Sequence, residues 1–231
     1  MLTIRPANER GHANIGWLDA FYTFSFANYY DPKWMGFRAL RVINDDKVAP
    51  GRGFGRHPHN DMEILTYMIA GSLSHNDSTG GSGALLPGEL QHMSAGTGVE
   101  HSEQNASSTV ESHSLQIWIE PNTTGVEPQY QQKRFRVSEE PNQFHLLASK
   151  DGRDNSFRIH ADAELLAADL KPGATVTHSF KADYGWLHVV RGEVSVAGGT
   201  LKAGDGLALS KEKSLTLSTE TGGEVLLFDL E

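Results

Sequence analysis

The sequence predicts an all-β protein built from two tandem jelly-roll β-barrels, and three observations lead to this prediction. Glycine accounts for 24 of the 231 residues, a content that favours many tight turns. Short apolar segments recur between turn residues, whereas helical periodicity is weak throughout. Two glycine-centred patterns occur twice along the chain, which indicates a repeated unit.

The predicted strands are rich in β-branched or large apolar residues, and Gly, Asn, Asp or Pro bounds nearly all of them. In chain order they are residues 37–42, 63–69, 114–119, 187–190, 193–196 and 224–230. The best helix candidate is residues 161–170, although Ala163–Leu166 could also be extended. Short antiparallel strands with so many turns favour a barrel or jelly roll.

The repeat relates the two halves of the chain. Residues 67–74 (YMIAGSLS) resemble residues 188–195 (HVVRGEVS), each predicting a strand, a glycine turn and a return strand. Further along, residues 86–90 (LPGEL) resemble residues 202–206 (KAGDG). Both matches keep their order, so we expect two copies of one β-unit.

A polar segment separates these copies. Residues 122–132 (NTTGVEPQYQQ) contain glycine and proline and follow a predicted strand, so they predict a linker. We expect a boundary near residue 135, with one unit over residues 1–135 and the other over residues 136–231.

Composition excludes several functions. The balance of 20 basic and 29 acidic residues gives a net charge of −9, which repels phosphate backbones and argues against direct binding of nucleic acid. Cysteine is absent, so disulfides, thiolate nucleophiles and iron–sulfur clusters are excluded. The sequence shows neither a secretory signal nor an apolar run long enough to cross a membrane. We therefore expect a cytoplasmic protein with no membrane partner.

Histidines are concentrated in the first half: six of the 11 lie between residues 57 and 113. His57 and His59 are two residues apart, so on a strand both imidazoles point to one face, and the same holds for His101 and Glu103. If the two strands are neighbours, three imidazoles and one carboxylate converge on one ion. This donor set suits Fe(II), Mn, Co, Ni or Zn. The alternative interpretation is that these histidines are solvated loop residues.

The spacing resembles the two cupin motifs. Residues 51–71 (GRGFGRHPHNDMEILTYMIAG) resemble the first motif and residues 96–105 (GTGVEHSEQN) the second, although Gly96 replaces a proline and Gly71 comes one residue late. The segments GFGRHPHNDMEILTYMIAG and MSAGTGVEHSE are similar to the pirin family of bicupins, as is the opening segment NERGHANIGWLDAFYTFSFANYYDP. The resemblance is strong over residues 8–120 and weaker afterwards.

The pirin resemblance implies a metal site and its ligands. The ligands implied by this resemblance are His57, His59, His101 and Glu103. Many other cupins take the carboxylate from the first motif, where Glu63 stands; strand parity alone does not separate the two glutamates. Glu63 is thus the fallback ligand, or an acid that orients an imidazole.

The second unit predicts no metal site of its own. Aligned on the repeat, His178 is the only imidazole it retains. The other ligand positions fall on Phe180, Leu217 and Thr219. One donor cannot hold an ion, so we expect one divalent metal per chain, with Fe(II) first and Zn, Mn, Co or Ni as alternatives.

The resemblance also implies an activity, that of a quercetin 2,3-dioxygenase cleaving the heterocycle of a flavonol with O2 and releasing CO. Glu103, with Glu63 as the fallback, would take the proton of the substrate hydroxyl. Two alternatives stay open. One is an iron-dependent regulatory protein that binds a protein partner without physiological catalysis, and the other is a cupin isomerase or epimerase.

Other residues carry less information. The aromatic segment 21–30 predicts core and inter-domain packing, with part of it lining a pocket for a flat substrate. Four histidines fit neither donor pair and are expected to be structural or solvated: His12, His75, His92 and His113.

Overall fold

A computed structural model describes residues 1–231. The chain forms twenty-one β-strands, two single-turn 3-10 helices (Ala7–Glu9 and Arg153–Asn155) and no α-helix. Neither 3-10 helix has the length or the apolar character needed to span a bilayer. The strands are β1 Leu2–Arg5, β2 Gly11–Asn14, β3 Leu18–Tyr22, β4 Leu40–Val48, β5 Gly53–His59, β6 Glu63–Ala70, β7 Leu73–Asp77, β8 Ser82–Leu85, β9 Glu89–Ser94, β10 Val99–Asn105, β11 Ser112–Ile119, β12 Gln129–Arg134, β13 His145–Ser149, β14 Phe157–Arg158, β15 Ala163–Leu170, β16 Thr175–Ser179, β17 Tyr184–Val196, β18 Gly199–Lys202, β19 Gly206–Ser210, β20 Ser214–Ser218 and β21 Gly223–Leu230.

The strands form two similar units of facing sheets. In the first unit, a seven-stranded sheet of order β12-β9-β6-β11-β4-β3-β2 faces a four-stranded sheet of order β5-β10-β7-β8. In the second unit, the sheet β1-β19-β17-β21-β15-β13-β14 is joined through β17 to β16, β18 and β20. The all-β prediction of two tandem jelly rolls is confirmed, although the sheets stay open at their edges and do not close into complete barrels.

The large sheets of the two units pack face to face. On β6 every residue except the last is buried. Alternate side chains point to opposite faces of the sheet, and both faces of this strand are covered. Leu65 and Tyr67 point to the other unit, whereas Thr66 lies on the face that points into the first unit. The shared core contains 25 residues, among them Ile117 of the first unit and Phe228 of the second. This interface is continuous, so the two units form one packed molecule.

The interiors of the two units differ in chemistry. The second unit is filled by a single cluster of 14 aliphatic residues. The first unit has only small apolar clusters of four, four and three residues and buries polar side chains between them. These buried polar residues include Thr66, His75, Gln91, His101 and Glu103. A polar interior must be paired or bind a ligand, so the site belongs in the first unit.

The predicted helix over residues 161–170 is wrong. Residues 163–170 form strand β15, which lies between β13 and β21. Ala, Leu and Glu favour a helix in isolation, but here both faces of the segment are covered by apolar neighbours. Tertiary packing in the middle of a sheet therefore outweighs the local preference.

The glycines of the repeat occupy equivalent corners. Gly71 and Gly192 have φ values of 73° and 70°. A Cβ at either would overlap the backbone carbonyl of the residue just before a neighbouring strand, Glu111 or Gly222. The expected return strand is not formed at either glycine. At Gly71 the chain passes from the seven-stranded to the four-stranded sheet, and at Gly192 β17 continues from one layer to the next.

One strand crosses between the halves of the sequence. Strand β1 is antiparallel to β19, with Leu2 opposite Leu209 and Arg5 opposite Gly206. The earliest residues of the chain thus complete the sheet of the second unit, while β2 and the following strands build the first.

Candidate metal centre

Two adjacent strands of the four-stranded sheet hold the predicted donors. Strands β5 and β10 are antiparallel, with His57 opposite His101 and His59 opposite Val99. Burial alternates along β10, so His101 and Glu103 point inward while Glu100 is exposed. The nitrogen donors of His57, His59 and His101 all lie within 4.8 Å of one another. A group of this size can hold a single ion.

Hydrogen bonds leave a lone pair free on two of these imidazoles. His57 donates from Nδ1 to the carbonyl oxygen of Gly55 at 2.8 Å, so its Nε2 carries the lone pair. The Nε2 of His101 is buried and has no protein partner. An unpaired buried nitrogen is costly in the absence of a ligand. The donor chemistry therefore fits a divalent metal ion at this position.

A second layer orients His101. Its Nδ1 lies 3.5 Å from Nδ1 of His75, and Nε2 of His75 lies 2.9 Å from the carboxylate of Asp77. Because the carboxylate accepts, His75 donates from Nε2 and its Nδ1 accepts. The ring of His75 also stacks on Tyr130, with centroids 4.7 Å apart. The sequence alone predicts a structural or solvated His75; the structure buries it against His101, where it fixes the orientation of that imidazole.

Glu103 joins the cluster through His101. One of its oxygens lies within 4.8 Å of donor atoms of His75 and His101. The carboxylate accepts a hydrogen bond from Nε2 of Gln116 at 2.8 Å and faces the hydroxyl of Thr66 at 3.4 Å. Burial raises the pKa of Glu103 to about 7 in the absence of a cation, and the hydrogen bonds oppose this rise. A bound cation would favour the ionised form.

Two of the imidazoles, those of His59 and His101, are neutral at physiological pH. Burial, followed by the neighbouring His57, His59 and His75, lowers the pKa of His101 to about 3. Burial and the proximity of His57 lower the pKa of His59 to about 4. Metal ligation needs an unprotonated imidazole. His59 and His101 can therefore bind a metal ion without first losing a proton.

Glu63 lies elsewhere, on the opposite face of the seven-stranded sheet. Its carboxylate accepts hydrogen bonds from Nε2 of His92 and Oγ of Ser94, both at 2.6 Å. These bonds outweigh the effect of burial and hold the pKa of Glu63 below its usual value. The chain turns between β5 and β6, and Asp61 has a φ of 45° there. Counting residues from His59 therefore does not reveal which face Glu63 occupies, and the structure does not bring Glu63 to the cluster.

The cluster opens into a cavity of about 80 Å³ between the two sheets of the first unit. Its apolar walls include Phe26, Phe54 and Trp118. Four polar lining residues come from the seven-stranded sheet: Asn44, Asp46, Gln116 and Tyr22. Tyr22 lies in the aromatic segment for which a partial role in a pocket is expected, whereas the sequence does not predict the other three. A period-two pattern along β4 is the available signal for Asn44 and Asp46, but those positions carry no distinctive motif.

The corresponding region of the second unit holds no donor cluster. His178 pairs with Asp229 at 3.2 Å and packs edge-on against Phe180, with ring centroids 5.0 Å apart. Leu217 belongs to the aliphatic core, and the hydroxyl of Thr219 donates to the backbone carbonyl of Glu193. Metal-ligating side chains therefore cluster in the interior of the first unit and not in that of the second.

Two facing-sheet units, one with an inward histidine–carboxylate cluster and the other filled with aliphatic side chains, define a bicupin with one candidate metal site. Sequence comparison assigns residues 3–119 to the family described as Pirin and residues 146–230 to the Quercetinase C-terminal cupin domain. The chain belongs to the pirin family.

Individual relatives match along the whole chain. A protein of Escherichia coli K12 named quercetin 2,3-dioxygenase is 49% identical over 231 residues, covering 100% of this chain and 99% of the relative. The crystal structure of YhhW from Escherichia coli has a TM-score of 0.96 at 49% identity, covering 100% and 98% of the two chains. A structure of the bacterial pirin YhhW in complex with nickel(II) has a TM-score of 0.94 at 48% identity, covering 100% and 99%. Together with the donor cluster, these likenesses support a site for a single divalent metal ion.

Proposed function

We propose that this protein is a metal-dependent dioxygenase of the quercetin 2,3-dioxygenase type. The observation that carries the proposal is the inward group of three imidazoles, with the buried carboxyl group of Glu103 beside His101. All four side chains border a cavity rather than a closed shell. The name of the Escherichia coli relative supports the same activity. A structural zinc site would be closed and commonly thiolate-rich.

The proposed ligands are His57, His59, His101 and Glu103, with Fe(II) as the physiological ion. This set belongs to the first unit, proposed to comprise residues 1–135 apart from the exchanged strand β1. A bound divalent ion would supply positive charge that stabilises a deprotonated substrate hydroxyl and, if redox-active, electrons for reaction with O2. We propose the cytoplasm as its location, since a reducing compartment keeps iron ferrous.

The proposed substrate is a flavonol, and O2 is the second substrate. Carbon 3 of the heterocycle leaves as CO with the oxygen of its hydroxyl group, so both of its ring bonds break. The two oxygen atoms of O2 remain in the ester-acid product, and the atoms balance. The cavity of about 80 Å³ is smaller than the 300–1,000 Å³ of typical enclosing pockets. The substrate therefore enters by its hydroxy-ketone edge, and its other rings stay at the mouth.

The chain's own groups prepare this edge for reaction. Glu103 is proposed to accept the hydroxyl proton, because a bound cation would keep its carboxylate ionised and therefore able to accept a proton. The aromatic walls of the cavity exclude water from the reacting carbon atoms. Phe54 and Trp118 lie on these walls and offer flat surfaces for the rings.

Substitution of the ligands tests the proposal. His101→Ala and Glu103→Gln should each reduce the bound metal, measured by elemental analysis of protein purified without added metal, and abolish O2 uptake with quercetin. Glu63→Gln is the matched control, since it removes a buried carboxylate outside the cluster. It should keep the metal and lower only the free energy of unfolding, by about 2 kcal/mol.

Two results would contradict the proposal. Full metal content and full O2 uptake in His101→Ala would exclude the site. Loss of metal in Glu63→Gln at unchanged stability, with retention in Glu103→Gln, would transfer the carboxylate role to Glu63.

A further inference from the structure

The wall of the cavity that faces the donor cluster carries its own row of polar side chains. On the seven-stranded sheet, Asn44 lies opposite Tyr22 on one neighbouring strand and opposite Gln116 on the other. Asp46 stands two residues further along β4, on the same face. All four residues line the cavity, whose other side is formed by the imidazoles.

Asp46 has no partner within the protein. It is buried, and no hydrogen bond reaches its carboxyl group; only burial and the charges of Asp45 and Glu103 act on it. The Oδ1 atom of the adjacent Asn44 is also buried without a partner. Glu103, in contrast, is held by Gln116. Buried polar atoms without partners are rare in folded proteins and cost about 1–3 kcal/mol each, so the Asn44 oxygen indicates a bound ligand. The carboxyl group of Asp46 lines the same cavity and is free to bind that ligand.

Burial favours the protonated form of Asp46. Burial raises its pKa to about 8, and the neighbouring carboxylates of Asp45 and Glu103 contribute to the rise. Tyr22 is the remaining titratable group on this wall, and burial followed by Asp46 raises its pKa too. A neutral carboxyl group presents an O–H donor beside a carbonyl acceptor, whereas an ionised one would only accept.

We propose that Asp46 contacts the substrate directly, donating a hydrogen bond to the keto oxygen that lies next to the reacting hydroxyl group. The inference rests on the proposed function and extends it, because it makes the hydroxy-ketone unit the recognised feature. The cluster on one wall receives the hydroxyl oxygen and Asp46 on the other receives the keto oxygen. In so small a cavity, a ligand edge that reaches the imidazoles also touches the facing wall.

Ligand binding without O2 tests this contact separately from turnover. The dissociation constant of 3-hydroxyflavone is measured anaerobically for the metal-loaded wild type, Asp46→Val and Asp46→Asn, with metal content determined for each. Asp46→Val should bind about tenfold to a hundredfold more weakly at equal metal content, because the keto oxygen loses its donor. Asp46→Asn should recover most of this loss, since its amide N–H also donates.

Two controls make the test specific. Asp19→Asn changes a half-buried carboxylate of β3 that pairs with His12 outside the cavity, and it should bind like the wild type. A flavan-3-ol lacks the keto oxygen, so its affinity should change less than about threefold between the wild type and Asp46→Val. If the valine variant does not fold, Asp46→Ala carries the same expectations.

The outcomes separate the two proposals. Equal affinity of the wild type and Asp46→Val for 3-hydroxyflavone would overturn the role of Asp46, whatever the turnover. An equal loss of affinity for the flavan-3-ol would overturn keto recognition. Tight, Asp46-dependent binding without O2 uptake would contradict the dioxygenase proposal and leave this inference intact.

Discussion

His75 affects the proposed metal site through the residues that it contacts. It is buried, shares a close approach with His101 and donates to Asp77. Such an outer layer holds a metal-ligating imidazole in one orientation and one tautomer.

Replacing His75 should weaken metal binding without removing a proposed ligand. We expect His75→Phe to lower metal affinity about 10–100-fold, because His101 Nδ1 loses its acceptor. Competition with a chelator of known affinity measures the change. His12→Phe, at an exposed pair on β2, is the control and should leave the affinity unchanged. A His75→Phe variant with wild-type affinity would show that the contact has no effect on the site.

Some residues of the site can be predicted from the sequence, and others cannot. His57, His59, His101 and Glu103 are visible in the sequence because period-two spacing and a family motif coincide. His75 and Asp46 are not, because their roles depend on which strands face each other across the unit. Glu63 shows the same limit: an even spacing loses its meaning once a turn separates two strands.

At the scale of elements, the corner glycines decide where each layer ends. At Gly192 a positive φ and the close approach of the Gly222 carbonyl both exclude a side chain. Gly173 also has a positive φ, of 81°, but no neighbouring atom lies within 4 Å of the position that a methyl group would occupy there. Substitutions at these two glycines therefore distinguish the cost of backbone strain from the cost of steric overlap.

We expect Gly192→Ala to be the more damaging of the two substitutions. Gly173→Ala should cost about 1 kcal/mol through its backbone conformation alone. Gly192→Ala should cost at least about 1 kcal/mol more, because the strands must move apart. Urea unfolding monitored by intrinsic fluorescence gives both values. Equal losses would mean that the corner tolerates the displacement.

The elements themselves are only partly predictable. Strands β6, β11 and β21 lie close to their predicted positions, because they carry long apolar segments between clear turn residues. Strand β15 does not follow from the sequence, since Ala163–Leu170 favours a helix when taken alone. The corner in β17 resembles a hairpin in the sequence, because a glycine between two apolar segments is common to both arrangements.

At the scale of the whole molecule, a partly buried polar cluster lies where the two units meet. Asp45 accepts from Arg10 at 3.2 Å and from Nε2 of His113 at 2.6 Å, and His188 of the second unit lies near the same carboxylate. Burial raises the pKa of Asp45, but the hydrogen bond from His113 and the charge of Arg10 outweigh it and lower the pKa to about 2.

This shift predicts how stability depends on pH. An unfolded aspartate ionises near pH 3.9, so Asp45 contributes stability above about pH 4, and this contribution is lost as the pH falls towards 2. Asp45→Asn should reduce the free energy of unfolding at pH 7 by about 2 kcal/mol. The difference between the two proteins should then shrink below pH 4. Asp154→Asn, at an exposed carboxylate, serves as the control. A constant difference down to pH 2 would contradict the assignment.

The two-unit plan is predictable from the repeat, whereas the way the units interlock is not. Period and spacing indicate each unit separately, but nothing in residues 2–5 signals a partner near residue 207. Pairing between distant segments depends on the assembled surfaces rather than on local sequence.

The exchange of β1 has a consequence for biosynthesis. When a ribosome makes this polypeptide, Leu2 emerges long before its neighbour Leu209, and the backbone amides of β1 stay unpaired until residues 206–209 have been synthesised. Chaperones that bind exposed strands would therefore meet this segment early. Its pairing with β19 would be a late step of folding that connects the two units.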